Sequence, residues 1–316
     1  MNRVNQLVWH YTNTEGLLGI LESNTLWATA ANMLNDSSEL HHGIKLAREI
    51  WASESSEILT AAKNEAEEQG MQPPNEDTVQ QYLPATIDEV EREISENSVF
   101  VACASLDPDL LNQWRGYGGA QGYAIGIDKG PELGVLPKDG ASWEIGQIMA
   151  LPRWKKVIYL EQDQINTIRQ TLRFMCLFSP CEGEGFQSRE WRTWYGGHAL
   201  FLTEAVAIIK HKGFSGEREV RAAFGCREID SQLRFRPGPM GVTPYVALGV
   251  HDESKGSGKS GVNYQPLMSH QRKLPIREIF IGPSPNIKAT EEGLKRLIKC
   301  MMRGEIIIKR SEVPFR

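Results

Sequence analysis

Apolar positions fall in short runs whose spacing switches repeatedly between the periods of strands and helices. Residues 4–12 read as a strand and 14–22 as a helix, with Thr14 at the N-cap and Leu17, Leu18 and Leu21 at helical spacing. Residues 25–32 then read as extended. A charged helical pattern from Ser37 to about Glu68 is broken by "QGMQPPNED" and resumes over 77–96, which predicts a helical hairpin inserted over residues 37–97. "SVFVACASL" (98–106) reads as a buried strand, and "QGYAIGIDKG" as another after a short helical stretch. Two short strands are expected within 143–160, then helices over 161–178 and 190–211. In "EREVRAAF", Val220 and Ala222 alternate with Glu219 and Arg221, the pattern of a strand with one polar face. Strands over 231–236, 243–250, 277–282 and 304–309 and a helix over 287–302 complete the reading. Strands and helices mix without the regular alternation of a doubly wound sheet, so one α+β domain spanning 1–316 is predicted.

Composition narrows the class. With 41% hydrophobic and 24% charged residues, the 316-residue chain can bury a sizeable core. It has no apolar run of membrane-spanning length and no signal-peptide order at its start, so a soluble, cytoplasmic protein with no membrane association is expected. The five cysteines form no Cys-x-x-Cys pair, which points away from a thiolate zinc site and toward reduced, buried thiols. Charge is graded. Residues 1–100 carry 5 Lys+Arg against 17 Asp+Glu, and residues 201–316 carry 20 against 12. Such a gradient steers anionic partners, or else marks two ordinary solvated faces.

Several motifs fall short of the chemistry they suggest. "GSGKSG" (256–261) lacks the first glycine of a phosphate-binding loop, and "GYGGAQG" (116–122) lacks dinucleotide-loop spacing and precedes a strand. His41 and His42 beside Asp36 and Glu39 have no third imidazole, so no metal is expected. Cys103, within an apolar strand, reads as a core thiol.

Three polar clusters interrupt strand ends or faces: "WHYT" (9–12) with "NDSSE" (35–39), "NQWRGYGGAQGYAIGID" (112–128), and "KHKGFSGEREVR" (210–221). Together they suit binding of a nucleotide and chemistry at a sugar carbon. Breaking a ribose–nicotinamide bond releases a neutral leaving group, and the difficulty lies in the oxocarbenium ion left behind. A carboxylate that hydrogen-bonds the ribose 2′-hydroxyl stabilises that charge. Glu217 and Glu219, two apart on a strand, would share a face, and an aromatic ring would sandwich nicotinamide.

At these residues the chain resembles a bacterial family catalogued only as a domain of unknown function. The shared pattern is His10–Thr12, Asn35–Glu39, Cys103 to Ser105, Trp114 to Gly118 and Phe214 to Arg221, with "PYVAL" and "IREIFIGP" further on. The motif order is also similar to that of ADP-ribosyltransferases with a His-Tyr-Glu type triad, including nucleic-acid-modifying toxins. That resemblance implies an α+β, ADP-ribosyltransferase-like mixed or antiparallel sheet core with helical insertions. It implies an enzyme that takes NAD as substrate without a metal. His10, with Tyr11 and Thr12, would hold the adenosine ribose, and Tyr117 or Tyr123 would stack on nicotinamide. Glu219 or Glu217 would be catalytic, and Asn35, Asp36, Glu39, Arg115 and Arg221 would complete the binding site.

The implied function is NAD-dependent ADP-ribosylation of a nucleic acid or protein, as a bacterial toxin or phage-defence effector with an antitoxin or other inhibitory protein as partner. An NAD glycohydrolase and a non-catalytic nucleotide-sensing or protein-binding module are the alternatives. Each residue also has a plainer reading. His10 alone is a strand-end histidine satisfied by a backbone carbonyl. Asn35 and Asp36 are turn formers and Glu39 caps or salt-bridges its helix start. Arg115, Tyr117 and Tyr123 surround a glycine turn, and Glu217, Glu219 and Arg221 form a solvated strand face.

Overall fold

The computed structural model describes residues 7–34, 38–119, 121–136, 138, 152–179, 189–225, 232–238, 240–250, 273–301 and 304–314. The first strand, β1 (Leu7–Asn13), leads into helix α1 (Thr14–Ser23) and strand β2 (Leu26–Ala30). The cap of α1 is Asn13, whose side chain accepts from Gly16 N at 2.9 Å, so the helix starts one residue away from the Thr14 cap expected. The long helices α2 (Ser38–Glu68) and α3 (Glu76–Ser95) form the expected hairpin, with Asn75 capping α3 through Thr78 N.

Strand β3 (Val99–Ser105) follows, then the short helix α4 (Leu111–Tyr117) and strands β4 (Gly122–Asp128), β5 (Leu133–Val135) and β6 (Lys155–Lys156). Of the two strands expected within 143–160, only the two-residue β6 lies among the described residues. Helices α5 (Glu161–Leu177) and α6 (Arg189–Ala207) precede a 3-10 turn (Lys212–Glu217) and strand β7 (Glu219–Gly225). The chain continues through β8 (Arg234–Gly238), β9 (Gly241–Val250), β10 (Ile276–Ile281), α7 (Ile287–Cys300) and β11 (Ile307–Arg310).

The strands join in one mixed sheet, antiparallel except for β10 against β11. The fold is α+β. Helices α2, α3, α5 and α6 cover one face around Tyr82, Leu83, Ile94, Leu172 and Val206, joined there by Val99, Val101 and Ala223 of the sheet. Helices α1 and α7 cover the other, where Phe100, Phe224, Ile125 and Leu248 pack. The α2–α3 hairpin is therefore one layer of the main core. Trp9, Tyr11, Trp114 and Ala124 make a smaller apolar cluster with α4.

The sheet forks at β3. One edge of β3 pairs along its whole length with β7, from Val99↔Gly225 to Ser105↔Glu219. The other edge is divided: β2 takes its first half (Thr29↔Val101, Ala30↔Phe100), and β1 takes its end (Trp9↔Ser105). Two half-sheets, β1 with β4 and β10 and β2 with β9 and β8, diverge from this single strand. Cys103, midway between those pairings, has its carbonyl taken by His10 Nδ1 at 2.9 Å. The histidine thereby supplies a donor where the backbone ladder stops.

Candidate functional site

The polar face predicted for "EREVRAAF" exists, but it is buried. Glu219 and Arg221 are 8% and 3% exposed. Register explains how they come to be covered. Cys103 pairs with Arg221 and Ser105 with Glu219, so these side chains share the face that α2 and α6 overlie. Arg221 donates Nη1 to Ala207 O, at the last residue of α6, and Nη2 to Glu39 Oε2 at 2.6 Å, in the first turn of α2. Its Nε holds Glu219 Oε1 at 2.8 Å, and Nη2 also reaches Glu219 Oε2 at 3.0 Å.

Lys210 closes the cluster. Its Nζ lies 2.7 Å from Glu217 Oε2, 3.0 Å from Glu219 Oε2 and 3.5 Å from Glu39 Oε1, with the Phe214 ring 4.8 Å away. Three carboxylates thus meet two cations, leaving one negative charge in excess. Burying charges is tolerated with close pairing, which Glu219 and Arg221 have, whereas Glu39 Oε1 is buried without a hydrogen bond. Both oxygens of Glu219 are engaged. Glu217 Oε1 has no partner among the described residues, and its side chain is 20% exposed.

Glu217 and Glu219 do not converge by strand alternation, as the sequence had implied. Glu217 ends the 3-10 turn, and Arg218 between them adopts a left-handed backbone with φ 48°. Ser105 Oγ donates to Glu217 O at 2.8 Å, and Arg218 Nη1 pairs with Asp107 at 2.9 Å, which fixes this turn against the end of β3. Tyr159 Oη accepts from Glu219 N at 2.8 Å on the far side, where a groove of about 600 Å³ runs past Tyr159, Leu160 and Thr167.

The charges settle accordingly. Burial disfavours an ionised Glu219, yet Arg221 and Lys210 overcome it and hold the carboxyl below its ordinary range. Glu39 goes the other way, its burial outweighing the same two cations, so Glu39 takes up a proton before Glu219. Lys210 is also desolvated, but Glu219 and Glu217 keep its ammonium charged to higher pH than usual. Burial and the adjacent Glu219 push the Cys103 thiol well up, consistent with an unreactive sulfur. Tyr117, on the last turn of α4, is 44% exposed, and burial of its hydroxyl end near Cys103, Glu217 and Glu219 raises its phenol to about 12.

Of the residues singled out in the sequence, Glu39, Glu217, Glu219 and Arg221 come together here, and α4, which carries Tyr117, packs on the turn that ends at Glu217. His10 does not project into the cluster. Strand alternation puts it with Val8 and Thr12, on the opposite face from Trp9 and Tyr11, and burial holds its imidazole below the ordinary range, with Arg236 adding to the effect. Its plainer reading, satisfaction by a carbonyl, is what the Cys103 bond provides. Tyr11 is a packing residue whose hydroxyl donates to Asp107 O and accepts from Leu110 N. Thr12 faces Tyr123 across β1 and β4, and Tyr123 is buried in the core under α1 and α7. Between the two tyrosines, Tyr117 is the one at the glutamates. Arg115 is exposed on α4, and Asn35 and Asp36 lie outside the described residues, as do residues 256–261.

The glycines near Tyr117 divide by role. Added Cβ atoms at Gly118 and Gly122 would meet Trp114 O and the Gly118 Cα at 2.7 Å, so these two let α4 lie against β4. Gly116 faces open space. Lys210 opens the third polar cluster, "KHKGFSGEREVR", but the sequence reading gave it no role of its own. Among the described residues, no group of three or more His, Cys, Asp or Glu is arranged to hold a metal, and no helix is long and apolar enough to cross a membrane.

With this geometry in view, comparison with known proteins adds one match. Residues 113–222 match the family described as "Protein of unknown function (DUF2971)". That segment, about a third of the chain, runs from α4 to β7 and carries Tyr117, Lys210, Glu217, Glu219 and Arg221; His10, Glu39 and Cys103 lie outside it. No curated protein and no solved structure matches the chain.

Proposed function

We propose that the protein is an NAD-dependent ADP-ribosyltransferase-like enzyme, a toxin or phage-defence effector that modifies a macromolecule. The observation that carries the reading is the meeting of Glu217 and Glu219 on one lysine beside the forked sheet, with α4, which carries Tyr117, packed on the turn that ends at Glu217. The net negative charge of that place suits a cationic nicotinamide ribosyl group and the oxocarbenium ion formed from it. Tyr117 offers a half-exposed ring for the nicotinamide, and Gly116 leaves the approach open.

In the reaction, the bond from ribose C1′ to nicotinamide breaks and its electron pair leaves with the neutral ring. A nucleophile of the acceptor, or water in a glycohydrolase, bonds to C1′ and gives up a proton. Glu217, with one oxygen unengaged, is the carboxylate able to accept from the ribose 2′-hydroxyl or to take that proton. Glu219, held by two cations, fixes Lys210 and hence Glu217. The basic C-terminal third suits a nucleic-acid acceptor, through phosphate neutralisation, with a protein acceptor as the other class. An inhibitory partner such as an antitoxin accompanies the toxin reading.

The saturation of Glu219 favours one rival, a non-catalytic module that senses a nucleotide. Adenylate-labelled NAD, incubated with wild type, Glu217→Gln and Glu219→Gln in the presence of RNA, DNA or lysate protein, separates them. Label transferred to one acceptor class by wild type and lost in Glu217→Gln supports the transferase. Free ADP-ribose alone supports the glycohydrolase, and binding of NAD without turnover supports the sensor.

A further inference from the structure

Away from the glutamates, on the arm formed by β2, β9 and β8, Arg236 stands without a carboxylate partner among the described residues. Arg236 on β8 has a single polar contact among the described residues, Nη2 to Thr29 Oγ1 at 3.0 Å. Its Nε is buried with no hydrogen-bond partner, and no carboxylate of the described residues pairs with it. By contrast, Arg221 on the same sheet engages two carboxylates and a carbonyl. A buried guanidinium nitrogen left unmatched is costly, so it calls for an explanation.

The surroundings supply one. The Arg236 guanidinium lies 5.8 Å from the ring of Trp27, which packs against Tyr245 at 4.6 Å with planes tilted by 33°. Trp27 and Tyr245 are each half-buried, leaving ring surface accessible. A planar guanidinium with unused donors beside aromatic faces is a combination that takes a phosphate group together with a base.

We propose that Arg236, Thr29, Trp27 and Tyr245 form a site for the pyrophosphate and adenine of a dinucleotide. Resting on the NAD reading above, the proposal assigns the adenylate half to this arm of the fork and the nicotinamide half to Tyr117 and Glu217. The register makes the two places compatible. Thr29 pairs with Val101 and Glu219 with Ser105, so both sites share one face, separated by four residues of β3, about 13 Å along the strand.

Calorimetric titration of the full chain with ADP, adenosine and inorganic pyrophosphate tests the site without any bond being broken. Wild type is expected to bind ADP, and Arg236→Met to weaken ADP tenfold or more while leaving adenosine unchanged, because a charged hydrogen-bond set is lost. Quenching of Trp27 fluorescence by ADP should vanish in Trp27→Leu. Should Arg236→Met fail to fold, Thr29→Val, which removes the hydroxyl orienting the guanidinium, is expected to weaken ADP severalfold. The site is overturned if wild type binds no ADP, or if a folded Arg236 or Thr29 variant binds it as well as wild type does. ADP binding through Arg236 without NAD turnover would leave the site standing and remove the transferase; turnover unaffected by Arg236→Met would do the reverse.

Discussion

Lys210 Nζ sits 3.0 Å from Glu219 Oε2 with both side chains 9% exposed, and the same ammonium holds Glu217 and Glu39. Replacing it with an apolar residue would leave Arg221 alone against the buried Glu39 and Glu219 and the partly exposed Glu217. Lys210→Met is expected to lower stability by about 3 kcal/mol or more in urea denaturation. Adding Glu217→Gln, which removes one of the carboxylates then in excess, should restore part of that loss, and an additive double variant would speak against the shared network.

Arg218 provides a second test, through backbone rather than charge. Its φ of 48° is uncommon for a residue with a side chain and poorly tolerated by a β-branched one. Arg218→Val should destabilise by about 1–2 kcal/mol more than Arg218→Gly, although both lose the exposed Asp107 pair. Equal melting temperatures for the two variants would contradict this.

The glycines of the α4–β4 connection separate folding from binding. Gly122→Ala must push Gly118 and the Trp114 ring aside, and a cost of about 1–3 kcal/mol is expected. Gly116→Ala meets nothing and, lying in α4, should hold or modestly raise stability, so a loss of NAD turnover in it would report ligand approach.

His198 gives a pH dependence. It is buried in the helical layer with its Nδ1 hydrogen-bonded to Tyr82 Oη, and burial lowers its pKa to about 4. Between the ordinary histidine pKa and about 4 the unfolded chain binds a proton that the folded one refuses. Stability should therefore fall as pH drops through that window, by at most about 1.4 kcal/mol per pH unit. His198→Gln, which does not titrate, should flatten the profile there.

Most elements were legible because their pattern is strong. "SVFVACASL" and "QGYAIGIDKG" are apolar on both faces, and the strands they predict appear as β3 and β4. What escaped depends on distant pairing. Nothing in "EREVR" distinguishes a solvated polar face from one covered by α2, since Glu39 is 182 residues from Arg221 in sequence. Lys210 carries no local anomaly; its three carboxylates come from two segments. The apolar "TLWATA" and "PYVAL" runs read as core strands, and only the register Thr29↔Tyr245 sets Trp27, Tyr245 and Arg236 together. β5 is too short for any periodicity to announce it.

The divided edge of β3 also orders assembly. β1, β2 and β3 all lie within the first 105 residues, yet β2 is flanked by β9 and β4 by β10, strands that come from beyond residue 240. A chain emerging from synthesis therefore holds both arms with open edges until its last quarter arrives. Contacts this distant in sequence close slowly, and open edges invite pairing with other chains. The arm that carries Arg236, proposed above to hold the adenylate half of a dinucleotide, becomes complete only when β8 and β9 dock, after every residue of the glutamate cluster has been made.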